Sequence, residues 1–186
     1  LDYNRTHSIP SALTALKNNG YMTYEFHDRL TEAYRKIRNT CRFLLGNIYD
    51  FDGKDYSNGL LEIDRWAMSR LQTCTKKVTS AYERFNFHEV FHNLYNFCIV
   101  DMSSFYLDVL KDRLYTSPPA SSARRSAQTV MYMVLEAMAR LMAPILSFTA
   151  EEIWQHLPAD TQRKAHVHLA SLPAGSEKWR NTELAQ

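Results

Sequence analysis

The chain has 186 residues, 45% hydrophobic and 23% charged, the balance of a folded globular protein and not of a disordered one. Lys plus Arg is 22 against 20 for Asp plus Glu, a net charge of +2, so any nucleic-acid surface must come from local clustering. Five glycines and six prolines are too few for a turn-rich β-sandwich and favour long helices.

Residues 1 to 24 carry the weakest pattern, with a short helix expected over Ser11 to Lys17 and a stop at Asn18, Asn19 and Gly20. From Glu25 the signal is strong. Phe26, Leu30, Ala33, Ile37, Cys41, Leu44 and Ile48 recur every three or four residues, one face of a helix of about six turns. A second helix is predicted from Leu61 to Phe85, with Ile63, Ala67, Leu71, Cys74, Val78, Ala81 and Phe85 on its apolar face. Asn86 with Glu89 reads as a near capping box for a third helix running to about Arg113, whose apolar set includes Leu94, Met102, Phe105 and Leu107. Pro118 and Pro119 break the chain. Ser121 or Ser122 caps a fourth helix, Ala123 to Met142, and Thr149 with Glu152 caps a fifth that ends near Leu157. Val167 to Leu172 is expected to lie extended against the bundle. The fold class is therefore all-α: a bundle of four to five long antiparallel helices over residues 25–158, flanked by irregular extensions at 1–24 and 159–186.

Several motifs that would carry other chemistry are missing. Five scattered glycines supply no phosphate loop and no nucleophile elbow. Cys41, Cys74 and Cys98 are too far apart for a zinc site or a disulfide framework, which predicts free, buried thiols in a reducing compartment. His88 and His92 form an i,i+4 pair without a third ligand, so no metal is expected. Glu151 and Glu152 diverge on a helix and read as first-turn acids favoured by the dipole. The methionines at 131, 133, 138 and 142 read as core filling, and Trp66, Trp154 and Trp179 as core or rim residues. No apolar run reaches the ~18 residues of a membrane span and no signal peptide opens the sequence, which predicts a cytoplasmic location without membrane contact. Leu1 at the start and a polar stretch up to Gln186 read as a piece of a longer protein.

One stretch does point to a ligand. From Arg29 to Arg42 there are five basic residues and one acid, Glu32. On a wheel at ~100° per residue, Arg35, Arg38, Asn39 and Arg42 fall on one stripe opposite the apolar face centred on Ile37. Guanidinium forks match phosphates and stack on bases, and an Asn amide meets base edges. Two readings fit this stripe: a nucleic-acid surface, or a solvated face with ion pairs to neighbouring helices. Lys111 and Arg113, and further on Arg124 and Arg125, could extend it.

The strings YRKIRNTCRFLLGNIYDFD (34–52), LLEIDRWAMSRL (60–71), SFYLDVLKDRLY (104–115), APILSFTAEEIW (143–154) and VHLASLP (167–173) resemble the helical anticodon-binding domain of bacterial-type isoleucyl-tRNA synthetases, in class I. The likeness is colinear over about residues 28–173. It implies tRNA as partner, with Arg35, Arg38, Asn39 and Arg42 and then Lys111 and Arg113 as contacts, and a catalytic domain of the same parent chain as neighbour. It also implies ATP, Mg²⁺ and a C-terminal zinc module in the parent, and a monomer. The family's ATP motifs, editing domain and four-cysteine module have no counterpart in these residues. Lys76-Lys77-Val78-Thr79-Ser80 imitates the Lys-rich ATP loop but sits inside a helix. No catalytic residue and no cofactor is therefore expected here, and neither aminoacylation nor isoleucine-dependent pyrophosphate exchange. The neighbouring alternatives are the valyl enzyme's domain, or a helical protein-interaction module.

Overall fold

The computed structural model describes residues 24–158, 163–175 and 179; the short helix expected over Ser11 to Lys17 lies outside them. The chain falls into two compact units, Leu1–Lys36 and Ile37–Gln186, divided inside the first helix. Six α-helices are described: α1 Tyr24–Asn47, α2 Glu62–Glu83, α3 Phe87–Asn96, α4 Leu107–Thr116, α5 Ser122–Met142 and α6 Ser147–His156. A π-helical stretch, Phe97–Tyr106, joins α3 to α4 without a break in helical dihedrals. No strand occurs among the described residues, so the all-α bundle stands.

In the larger unit the core forms as the spacing predicts: Ile37, Cys41, Leu44, Ile48, Ala67, Leu71, Cys74, Val78 and Ala81 are all buried. α5 is the central rod. Val130, Met131, Val134, Leu135, Met138, Leu141 and Met142 are buried around it, and each large apolar side chain taken from water contributes about 1.5–3 kcal/mol. Ser121 caps it, its hydroxyl accepting the Arg124 amide at 3.3 Å, which is worth about 1 kcal/mol. Side-chain bonds fix the helix directions. Ser126, near the start of α5, bonds Asp64 near the start of α2; Tyr82 Oη, near the end of α2, donates to the Leu141 carbonyl near the end of α5 at 2.7 Å. These two helices run parallel. The three cysteines are free and buried, and burial pushes the Cys41 and Cys74 thiols up to about 12, which makes them poor nucleophiles.

Three local expectations are corrected. The third rod is not uniformly α. The amide of Leu107 bonds the Met102 carbonyl five residues back, and Ser104 Oγ donates to the Ile99 carbonyl at 2.7 Å. The wider turn moves Tyr106 into the core beside Leu107, which is buried as the spacing expects, and leaves Phe105 exposed against Trp66, ring centroids 4.7 Å apart. Asn86 makes no side-chain cap; its amide nitrogen instead donates to the Glu89 carboxylate at 3.1 Å. Finally, α6 begins at Ser147, so Thr149 is a buried residue inside it rather than its cap. The tight turn after α5, with the Ile145 and Leu146 amides both bonded to the Met142 carbonyl, lets the helix restart early.

That early start displaces Glu151 and Glu152 from the first turn, where the dipole argument had put them. Glu151 instead holds the C-terminal segment: it accepts from Gln155 Nε2 at 2.6 Å, His166 Nδ1 at 2.8 Å and the Val167 amide at 3.0 Å. Residues Val167–Leu169 form a 3₁₀ turn there, in place of the expected extended run, with Val167 buried. Burial pushes the Glu151 carboxyl up, but the bonds from Gln155, His166 and Val167 outweigh it and hold it at about 2. A depressed pKa stabilises the folded form above the unfolded value, here 4.5, and the contribution is lost as pH falls from there toward 2. Trp154, whose Nε1 donates to the Lys164 carbonyl at 2.8 Å, should report release of this segment by fluorescence in that window. Glu151→Gln should abolish the transition; an identical acid titration in both proteins would contradict this docking role.

Candidate nucleic-acid interface

α1 supplies the outer stripe because its apolar residues fix which side faces the bundle. With Ile37, Cys41, Leu44 and Ile48 buried, Arg38, Asn39 and Arg42 stand exposed on the opposite side. Arg35, in the N-terminal unit, is also exposed. Asn39 and Arg42 make no side-chain hydrogen bond or ion pair among the described residues, so their donors and the Asn39 carbonyl oxygen face solvent.

Arg38 is occupied. Its guanidinium grips Glu152 of α6 with two bonds, 2.5 and 2.8 Å, a bidentate geometry. The Arg38 bonds and charge hold the Glu152 carboxyl below the usual carboxylate range. The ion-pair reading of the stripe therefore holds at this position. Exposed pairs of this kind exchange readily with other anions, so a phosphate can compete with Glu152 for the same fork.

The two residues expected to extend the stripe lie elsewhere. Lys111 is exposed on α4 and pairs with Asp108 at 2.7 Å, one turn back on its own helix. Arg113 is committed to the interior: its Nη1 donates to both oxygens of Asp64, at 3.0 and 2.7 Å. Asp64 is fully buried and also accepts from Tyr106 Oη at 2.8 Å and from Ser126 Oγ. This carboxylate ties α2, the π-helical stretch, α4 and α5 together. Arg124 and Arg125 serve the same end of the bundle. Arg124 reaches the Asp50 carboxylate at 3.1 and 3.2 Å and the Leu114 carbonyl; Arg125 donates to the Asp50 carbonyl at 2.7 Å. Burial pushes the Asp50 carboxyl up, but bonds from Arg124 and Gln128 outweigh it and leave it below its ordinary value.

Asp64 and Asp50 are the polar residues the sequence pattern did not single out. Asp64 was findable, since it lies one and two turns from Met68 and Leu71 on the core side of α2. A carboxylate on an apolar face signals a buried countercharge. Among the described residues no three His, Cys, Asp or Glu gather as a metal site, and no helix is long and apolar enough to cross a membrane. His92 Nε2 shares a 2.9 Å bond with Asn96.

The described residues thus form an all-α bundle with interior ion pairs and an exposed Arg/Asn face on α1. Residues 64–186 match the family described as the anticodon-binding domain of tRNA ligase, and the chain belongs to that family. Among curated relatives, the isoleucine–tRNA ligase of Moorella thermoacetica is 53% identical over 161 residues, 85% of this chain and 17% of that protein. Those of Caldanaerobacter subterraneus and Caldicellulosiruptor saccharolyticus are 50% and 55% identical, over 84% and 80% of this chain. The chain spans about a sixth of the length of these relatives.

Proposed function

We propose that this chain docks the anticodon arm of an isoleucine tRNA, as one domain of a longer cytoplasmic isoleucine–tRNA ligase acting as a monomer. The observation that carries the reading is the exposed Asn39–Arg42 face in a chain whose residues 64–186 match the anticodon-binding family. Anticodon bases are single-stranded and are read by edge hydrogen bonds, stacking and backbone contacts, which are the interactions an amide and a guanidinium offer. Asn39 serves a base edge and Arg42 a phosphate, with Arg38 joining once it leaves Glu152. Arg35 and Lys111 are peripheral phosphate contacts, and Arg113 acts through the bundle by holding it together. Docking at a distance from the reaction lowers the entropy cost of aminoacyl transfer.

The relatives' ligase name implies ATP, with Mg²⁺, and the resemblance adds a zinc module. All of these belong to the longer parent protein, and this chain's part is binding. The test is affinity of the 186-residue chain for the anticodon stem-loop of isoleucine tRNA and for the same hairpin carrying a valine anticodon. Preference for the isoleucine anticodon is expected; equal affinity would contradict the reading. Glu152→Gln should weaken the hold of α6 on the Arg38 guanidinium, tightening binding and steepening the salt dependence by about one phosphate's worth. An unchanged slope would remove Arg38 from the interface.

A further inference from the structure

We infer that Gln128 and Arg125 of α5 are positioning residues for anticodon reading: they cap the end of α1 from outside it and fix the rotation at which that helix presents Asn39. The inference rests on the RNA-docking reading and adds residues that act through α1.

A helix leaves its last carbonyls without partners of its own. The usual remedies are a left-handed glycine just past the end or a basic residue in the last turn. α1 has neither: its last turn holds no basic residue, and the left-handed glycine that follows, Gly53, lies beyond Phe51. α5 supplies the partners instead. Gln128 Nε2 donates to the Asn47 carbonyl at 3.0 Å and to Asp50 Oδ1 at 2.6 Å. Arg125 Nη1 donates to the Asp50 carbonyl at 2.7 Å and to Gln128 Oε1 at 2.8 Å. Arg124 closes the network by joining the Asp50 carboxylate to the Leu114 carbonyl of α4. Gln128 is fully buried, so water does not compete for its bonds.

The clamp adds direction. Apolar burial along Ile37, Cys41, Leu44 and Ile48 is non-directional, whereas a satisfied buried polar network specifies one arrangement. A turn of about 20° about the axis moves a side chain at the ~5–6 Å helix radius by roughly 2 Å. A binding group must be held to within about 0.5 Å, so base reading by Asn39 is lost on such a turn. Phosphate contacts depend on charge and carry no sequence information, and the long Arg42 side chain follows its phosphate. In the docking reading Arg38 also leaves Glu152, so α1 loosens its hold on α6 as RNA arrives. The clamp at the other end of the helix then keeps its rotation.

The test is the affinity of the 186-residue chain for the anticodon stem-loop of isoleucine tRNA, divided by that for the same hairpin carrying a valine anticodon. Unfolded protein is lost to both hairpins alike, so a merely structural role does not move this ratio. Asp50→Asn and Asp50→Ala remove the same charge, but only Asn keeps the oxygen that accepts from both Gln128 and Arg124. Asp50→Ala should lower the ratio by about fivefold or more, the lower bound for one base-edge pair, while Asp50→Asn should retain it. Gln128→Leu exchanges one neutral side chain for another; it should lower the ratio likewise and leave the salt slope as in wild type. Wild-type ratios in both Asp50→Ala and Gln128→Leu would refute the positioning role and leave the docking reading standing. Equal losses in Asp50→Asn and Asp50→Ala would assign the effect to charge and overturn it too. If wild type itself shows no preference for the isoleucine anticodon, the docking reading falls and the positioning role with it.

Discussion

Arg113→Met should cost about 3–5 kcal/mol of folding stability, because it strands a fully buried carboxylate. Asp64 would keep its bonds from Tyr106 and Ser126 but lose the only cation bonded to it among the described residues. In a chain of this size that loss should appear as a fall in Tm of roughly 10 °C or more. Replacing both partners, Asp64→Leu with Arg113→Met, should recover much of the loss, since an apolar pair of similar volume carries no desolvation penalty. The check is thermal unfolding of the single and double variants as a cycle. A single-variant cost below about 1 kcal/mol would mean that water screens the pair, as it does at the surface. Any RNA-binding loss in Arg113→Met should follow the unfolded fraction and vanish at low temperature.

The second large effect belongs to the exposed face. Asn39→Ala should cost about 1–3 kcal/mol against the isoleucine anticodon and little against a swapped one, with the salt slope preserved. An uncharged amide releases no counterions. Arg42→Ala should weaken both hairpins alike and flatten the slope. The two variants thus separate base reading from phosphate gripping on adjacent turns of one helix.

The rods were legible in the sequence wherever burial on one face dominates. α1 from Ile37 and α2 up to Ala81 follow their three-and-four spacing, and Ser121 caps α5 where the motif stands; Leu30 and Phe85, placed on the same faces by spacing, are exposed, Phe85 because α2 ends at Glu83. The π-helical stretch was not legible, because a 3.6-residue period carries on from Met102 to Phe105, whereas the chain inserts a wider turn that brings Tyr106 to Asp64 at 2.8 Å. The start of α6 was misplaced for a related reason: Thr149 has a capper's chemistry, but the turn at Ala143–Pro144 made the helix possible three residues sooner.

The candidate site was half legible. The wheel put Arg38, Asn39 and Arg42 on the exposed side, and they are there. What a wheel cannot give is the partner across a gap of more than a hundred residues, and so it missed Glu152 on Arg38. Arg113 shows the converse: a basic residue near the end of a helix looks like surface until the buried acid it neutralises is placed beside it.

The most direct measurement is a salt titration of stem-loop binding by wild type and Arg42→Ala. Arg42 is exposed and has no side-chain partner among the described residues, so the variant should fold as wild type does. With the α1 face on the anticodon arm, the plot of log affinity against log salt should flatten by about one unit in the variant, for cognate and swapped anticodons alike. Unchanged affinity and an unchanged slope on both hairpins would contradict the account and leave the stripe as a solvated helix face.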